Sequence, residues 1–164
     1  MKKIDSLENL KKISLSLKKK SKKIVLCHGV FDLLHIGHIK HLKKAKECGD
    51  KLFVTITSDR FVNKGPGKPV FSQNLRAEAL AALEDVDYVA INDSPTAINP
   101  IRNIKPNFYC KGKDYVNPKD DLTGEIKNEL KELKKNKGKI FYTHELTFSS
   151  SRTINSQTNF YSEI

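Results

Sequence analysis

His35 and His38, with Gly37 between them, are the residues of this chain best placed to do chemistry. They close the stretch Cys27-His28-Gly29-Val30-Phe31-Asp32-Leu33-Leu34-His35-Ile36-Gly37-His38. At i and i+3 of a helix start, two imidazoles share one face, about 5–6 Å apart. Beside the unbonded N–H groups of a helix N-terminus they form an anion site suited to a polyphosphate. Their ring N–H groups are fitted to stabilise charge developing on a phosphoryl group in transfer. A lone histidine at a helix start, or a lone glycine after a strand, is more often structural. The combination of types at this spacing carries the reading.

Such a site needs a strand to aim it. Residues 24–27 form a short, mostly β-branched run, which predicts a buried parallel strand ending at the glycine turn. Further strands are predicted over residues 51–57, 86–91, 107–110 and 139–142. Helices are predicted over 6–20, 36–48 (closed by Gly49), 72–83, about 95–104 and 121–137 (ended by Gly138). Alternation of this kind implies βαβ units, a parallel sheet and right-handed crossovers. The expected fold is a Rossmann-like α/β three-layer sandwich with a five-stranded parallel sheet. Asp32, Ser58-Asp59, Asn92-Asp93, Lys111-Gly112 and the run from Ser149 to Ser151 all follow predicted strands. In a parallel sheet these junctions share one edge, where ligands bind.

Between the second strand and the helix capped by Ser72 lies Lys64-Gly65-Pro66-Gly67-Lys68-Pro69. A Walker A loop needs a glycine five residues before its Gly-Lys pair and Ser or Thr after the lysine; Val62 and Pro69 stand there instead. The segment reads as a mobile, lysine-bearing loop over a polyphosphate. Arg76, in the helix that follows, is placed to clamp a phosphate. Its bland alternative is a surface ion pair with Glu78 or Glu84. Ser149, Ser150 and Ser151 offer hydroxyls and N–H groups for a phosphate cradle, against simple helix capping. His28 and His41, taken with His35 and His38, have no Cys or acidic ligand placed to complete a tetrahedral zinc site. Magnesium carried by a nucleotide is expected, with Asp32 as the candidate to hold its hydrated shell.

The formal charge is +11, with 30 Lys and Arg against 19 Asp and Glu. Only Arg60, Arg76, Arg102 and Arg152 are arginine, which disfavours a nucleic-acid reader. The lysines cluster at 18–23 and 131–139 and read mainly as solvated helix faces. Cys27, Cys48 and Cys110 are unclustered and suit a reducing cytoplasm. No apolar run reaches membrane-spanning length, and residues 1–5 do not begin a secretory signal. Residues 1–21 are expected to form a basic helical segment packed on a single domain of residues 22–164.

The reading of that domain as a nucleotidyltransferase comes from resemblance. A strand, Gly-Val-Phe-Asp, then His35-Ile36-Gly37-His38 resembles the nucleotidyltransferase superfamily that includes the cytidylyltransferases. The block Phe108-Tyr109-Cys110-Lys111-Gly112-Lys113-Asp114-Tyr115 resembles bacterial heptose 1-phosphate adenylyltransferases; glycerol 3-phosphate cytidylyltransferases carry a more acidic version. Many cytidylyltransferases place Arg-Thr-Glu-Gly before their serine-threonine run, where this chain has His144-Glu145-Leu146-Thr147. The resemblance implies transfer of NMP from an NTP to a phosphorylated sugar or polyol, with release of pyrophosphate. It implies His35, His38, Lys68 and Arg76 as catalytic residues. It implies Gly29, Val30, Phe31, Asp32, Gly37, Lys111, Gly112, Asp114 and the three serines as nucleotide-binding. ATP is the expected donor, with a CTP-dependent transferase acting on glycerol 3-phosphate or another polyol phosphate as the alternative. A sugar kinase domain or partner and a homodimer are also implied. A polyanion-binding module would use the lysine clusters but leaves His35 and His38 unexplained.

Overall fold

Along the first strand, side chains alternate between two apolar layers, and both layers are fully buried. Val25 and Cys27 face one; Ile24 and Leu26 face the other. Burial on both faces is what makes the run continuously apolar. The computed structural model describes residues 2–112 and 124–144. Its elements are α1 (Leu7–Lys19), β1 (Ile24–Gly29), α2 (Ile36–Lys46), β2 (Lys51–Thr57) and a 3₁₀ turn (Asp59–Phe61). They continue with α3 (Gln73–Ala81), β3 (Tyr88–Asn92), α4 (Ile98–Ile104), β4 (Phe108–Gly112), α5 (Ile126–Lys135) and β5 (Lys139–Thr143).

All five strands are parallel, in the order β3-β2-β1-β4-β5. The strand order reverses between β1 and β4, so the crevice of this sheet opens beside the turn that leaves β1. Leu42 and Ala45 of α2, with Ala77 and Leu80 of α3, cover one face. Leu10 of α1, Ile101 and Ile104 of α4 and Leu133 of α5 cover the other. The result is the expected Rossmann-like three-layer α/β fold.

The chain begins by protecting an edge. Ile4 bridges Val89, and Val89 N donates to Lys3 O at 2.8 Å, so the outer edge of β3 is paired before α1 starts. Ser6 then caps α1 by accepting from Asn9 N. On the opposite face, Asp87 ties α2, β2 and β3 together by accepting from Lys46, from Lys51 at 2.8 Å and from Leu52 N at 2.8 Å. Burial works against its ionisation, but these donors prevail and hold the carboxyl below its usual range.

Some boundaries differ from expectation. Strand β3 begins at Tyr88, two residues late, and α2 ends at Lys46. Gly49 is not a left-handed helix cap. A Cβ there would lie 2.8 Å from Val25 Cγ2 and 2.9 Å from Lys23 O, so the position needs glycine for close approach. Of the helix expected over 121–137, residues 121–123 lie outside the described residues and the helix runs Ile126–Lys135.

Candidate active site

The turn leaving β1 is strained. Phe31 adopts φ +50°, which bulky residues rarely do and which costs on the order of 1–3 kcal/mol. Its ring folds back over Gly29, where a Cβ would sit 3.0 Å from Phe31 Cε2. Gly29 is therefore required by contact with its own turn. The ring is buried and meets His38 edge-on, with centroids 5.4 Å apart.

His35 and His38 form a tighter unit than two residues on one helix face. His35 is the N-cap of α2, in extended conformation at φ −138°. Its Nδ1 accepts from Gly37 N at 3.1 Å, while His38 Nδ1 accepts from His35 N at 3.4 Å. This is a capping box built from two imidazoles. It uses N–H groups that the sequence reading left for ligand, and it brings the ring centroids to 3.9 Å. The box also fixes chemistry. A neutral imidazole that accepts at Nδ1 carries its proton on Nε2, so both rings are set as Nε2–H donors. Burial, with the nearby charges of His35, His41 and Lys64, lowers the pKa of His38 to about 4. His38 is thus neutral at physiological pH. Gly37 is buried beneath the pair.

Arg76 does not stand at the surface. Its side chain has 0% exposure, and its partner is Asp59 rather than Glu78 or Glu84. Nε donates to Phe71 O at 3.0 Å, Nη1 to Val30 O at 2.7 Å and Nη2 to Asp59 Oδ1 at 2.7 Å. A fork of this shape satisfies three acceptors on three segments at once. In this arrangement Arg76 is a post that holds the site together, not a phosphate clamp.

Asp32 is likewise engaged. Its two oxygens accept from Val70 N at 2.8 Å and Phe71 N at 2.9 Å, strapping the end of the lysine loop to the β1 turn. A magnesium-holding role for Asp32 does not fit this use, and no cluster of three or more metal-ligating side chains occurs among the described residues. Within the strapped loop, Gly65 and Gly67 take φ +93° and +70°, Lys64 is exposed and Lys68 partly so.

Lys111, expected to be nucleotide-binding, is engaged with Glu129 in this structure. Its side chain is 11% exposed, and its ammonium lies 3.4 Å from Glu129 Oε2 and 5.4 Å from the centroid of the Tyr109 ring. Glu129, on α5, also accepts from Tyr109 Oη at 2.9 Å and Ala97 N at 3.1 Å. Gly112 has open space around its Cα. Asp114 and the serines Ser149, Ser150 and Ser151 lie outside the described residues.

Glu129 went unread in the sequence, as did the partners of His41, Ser58 and Asp93. Glu129 falls in the buried stripe of α5 with Ile126 and Leu133, and an acid within an apolar stripe was the available signal. His41 Nδ1 lies 2.6 Å from Thr143 Oγ1, joining α2 to the end of β5. Arg60 and Ser58 both donate to Asp93, which links the ends of β2 and β3. None of these pairings is marked by sequence spacing.

Comparison with known proteins agrees with this geometry. The sequence profile of the cytidylyltransferase-like family matches residues 26–156. The chain is 42% identical over 130 residues to the bifunctional protein HldE of Nitratiruptor sp., covering 78% of this chain and 28% of that protein. It is 48% identical over 115 residues to the bifunctional protein HldE of Campylobacter concisus, covering 69% of this chain and 24% of that one. The chain thus spans about a quarter of the length of these relatives. Among solved structures it superposes on the lipopolysaccharide core biosynthesis protein from Thermoplasma volcanium with a TM-score of 0.61 and 29% identity, covering 77% of this chain and 99% of that one. With the profile spanning the sheet, the histidine box and the crevice beside β1, the chain belongs to the cytidylyltransferase-like family.

Proposed function

We propose that this chain transfers NMP from an NTP to a phosphorylated sugar resembling heptose 1-phosphate, releasing pyrophosphate and leaving an NDP-sugar. The observation that carries the reading is the imidazole capping box, which sets two ring Nε2–H donors at the helix start beside the sheet crevice. The acceptor's phosphate oxygen attacks the α-phosphorus, and the bond from that phosphorus to the bridging oxygen of pyrophosphate breaks. His35 and His38 stabilise the charge gathering on the α-phosphoryl oxygens. Because His38 is neutral, it acts as a fixed donor and need not move a proton. The Val30–Phe31 turn positions the nucleotide, and Lys64 and Lys68 offer charge to the β and γ phosphates. Asp114, Ser149, Ser150 and Ser151 complete the nucleotide cradle in this reading, and Mg²⁺ arrives with the triphosphate as part of the substrate.

The names of the relatives support a sugar acceptor. Two are called bifunctional and one belongs to lipopolysaccharide core biosynthesis. A sugar kinase, fused or separate, supplies the acceptor phosphate in this proposal, and the active form is a homodimer. The test is pyrophosphate release with each NTP against a panel of sugar and polyol phosphates. Turnover with ATP and a heptose 1-phosphate is the expected result. A preference for CTP with a polyol phosphate moves the chain to the cytidylyl branch, and no release with any pair overturns the proposal.

A further inference from the structure

The sheet face covered by α1, α4 and α5 changes character at the C-terminal ends of its strands. Apolar residues give way there to a polar row running from strand to strand. Asn92 ends β3, Thr57 ends β2 in register with it, and His28 follows on β1 opposite Thr55. Strand alternation puts these side chains on the face of Ala90, Phe53 and Leu26, away from α2. The row's His28 and threonine members are joined. His28 Nδ1 lies 2.9 Å from Thr55 Oγ1, and His28 Nε2 lies 3.4 Å from Thr57 Oγ1.

Asn92 is the informative member. It is completely buried, and its amide nitrogen donates to Ser94 O at 3.1 Å and Thr96 O at 2.8 Å. Those bonds fix the orientation of the amide, so the opposite atom is the carbonyl oxygen. That oxygen, Oδ1, is buried and accepts no hydrogen bond among the described residues. A buried acceptor left without a donor is destabilising, and a ligand's donor group removes that penalty on binding.

Charge narrows the ligand. The Lys111 ammonium beside the row is balanced by Glu129. His28 is held neutral, its pKa lowered to about 3 by burial and by the Lys111 charge. The row therefore presents hydroxyls, an imidazole and an amide oxygen with little net charge. That set complements alcohol groups rather than phosphate, carboxylate or hydrocarbon. It also begins one residue before Gly29, where the turn toward the histidine box starts.

We propose that Asn92, Thr57 and His28 read hydroxyl groups on the sugar of the acceptor and set its selectivity. This rests on the nucleotidyl-transfer reading above. The test uses the full chain, its Thr57→Val and Asn92→Ser variants, one accepted sugar phosphate and that compound's monodeoxy analogues. Thr57→Val is nearly isosteric, and thermal melts establish that each variant is folded. Each variant is expected to raise the acceptor KM about 10-fold while the NTP KM stays within about twofold. For one analogue, lacking the hydroxyl that is read, the penalty of the variant should vanish, which a purely structural defect would not produce. Unchanged acceptor KM in both folded variants, or an equal loss with every analogue, overturns this inference and leaves the transferase reading standing. No turnover by the unmodified chain with any sugar phosphate overturns both.

Discussion

The reactive quality of His38 comes from its neighbours rather than from its own type. An isolated histidine would be partly protonated near pH 6.5, but burial and three adjacent basic groups hold this one neutral to about pH 4. His35, as N-cap, fixes the tautomer that leaves Nε2–H outward on His38, and each ring braces the other at 3.9 Å. His38→Ala is therefore expected to lower kcat by roughly 10²–10³-fold, the range for loss of one transition-state donor. The KM for NTP should move far less, because the donor's strongest contact is made to charge that develops during transfer. Steady-state pyrophosphate release checks this. A folded His38→Ala variant with unchanged kcat would remove the residue from the mechanism.

At the scale of elements, the site is a set of loops fastened to each other rather than to ligand. Arg76 on α3 holds the β1 turn through Val30, the end of the lysine loop through Phe71 and the 3₁₀ turn through Asp59. Asp32 completes the fastening by gripping Val70 and Phe71. Removing the guanidinium leaves the Val30 and Phe71 carbonyls without this donor and Asp59 without its ion-pair partner. Arg76→Met is expected to lower Tm by roughly 5–10 °C and to speed proteolytic cleavage within residues 62–71. Thermal melts and limited proteolysis, with and without NTP–Mg²⁺, check both. Were Arg76 instead a triphosphate clamp, the variant would keep its Tm and its cleavage rate and lose only nucleotide affinity. Glu129 does comparable work on the other face, where it joins α5 to Tyr109, to the start of α4 and to Lys111.

Across the whole molecule, the buried imidazoles make stability depend on pH. His28 and His38 have folded pKa values of about 3 and about 4, below the ordinary 6.5. As pH falls below about 6.5 the unfolded chain takes up these protons first, so stability declines from there through the folded values. The slope from the two histidines fades as pH rises past 6.5 and is lost by about pH 8. Between about pH 6.5 and 5 the decline should approach 1.4 kcal/mol per pH unit for each histidine, before carboxylates titrate. Urea midpoints across that range, for the unmodified chain and for His28→Asn, measure it; an unchanged slope in the variant would exclude His28 as a source. Much of the architecture was legible in the sequence, because runs buried on both sides, such as residues 24–27 and 52–56, are continuously apolar and alternate with amphipathic segments. The histidine pair was legible for a related reason: its spacing and helix start are local properties. The roles of Arg76, Asp32 and Lys111 were not. Each is a charged residue near the sheet edge, and type and position alone favour a phosphate partner. Their actual acceptors and donors lie 5, 17 and 46 residues away for Arg76, 38 and 39 for Asp32 and 18 for Lys111. Hydrogen-bond partners at such separations carry no sequence period, so only the packed fold decides whether a charge faces the ligand or fastens the loops around it.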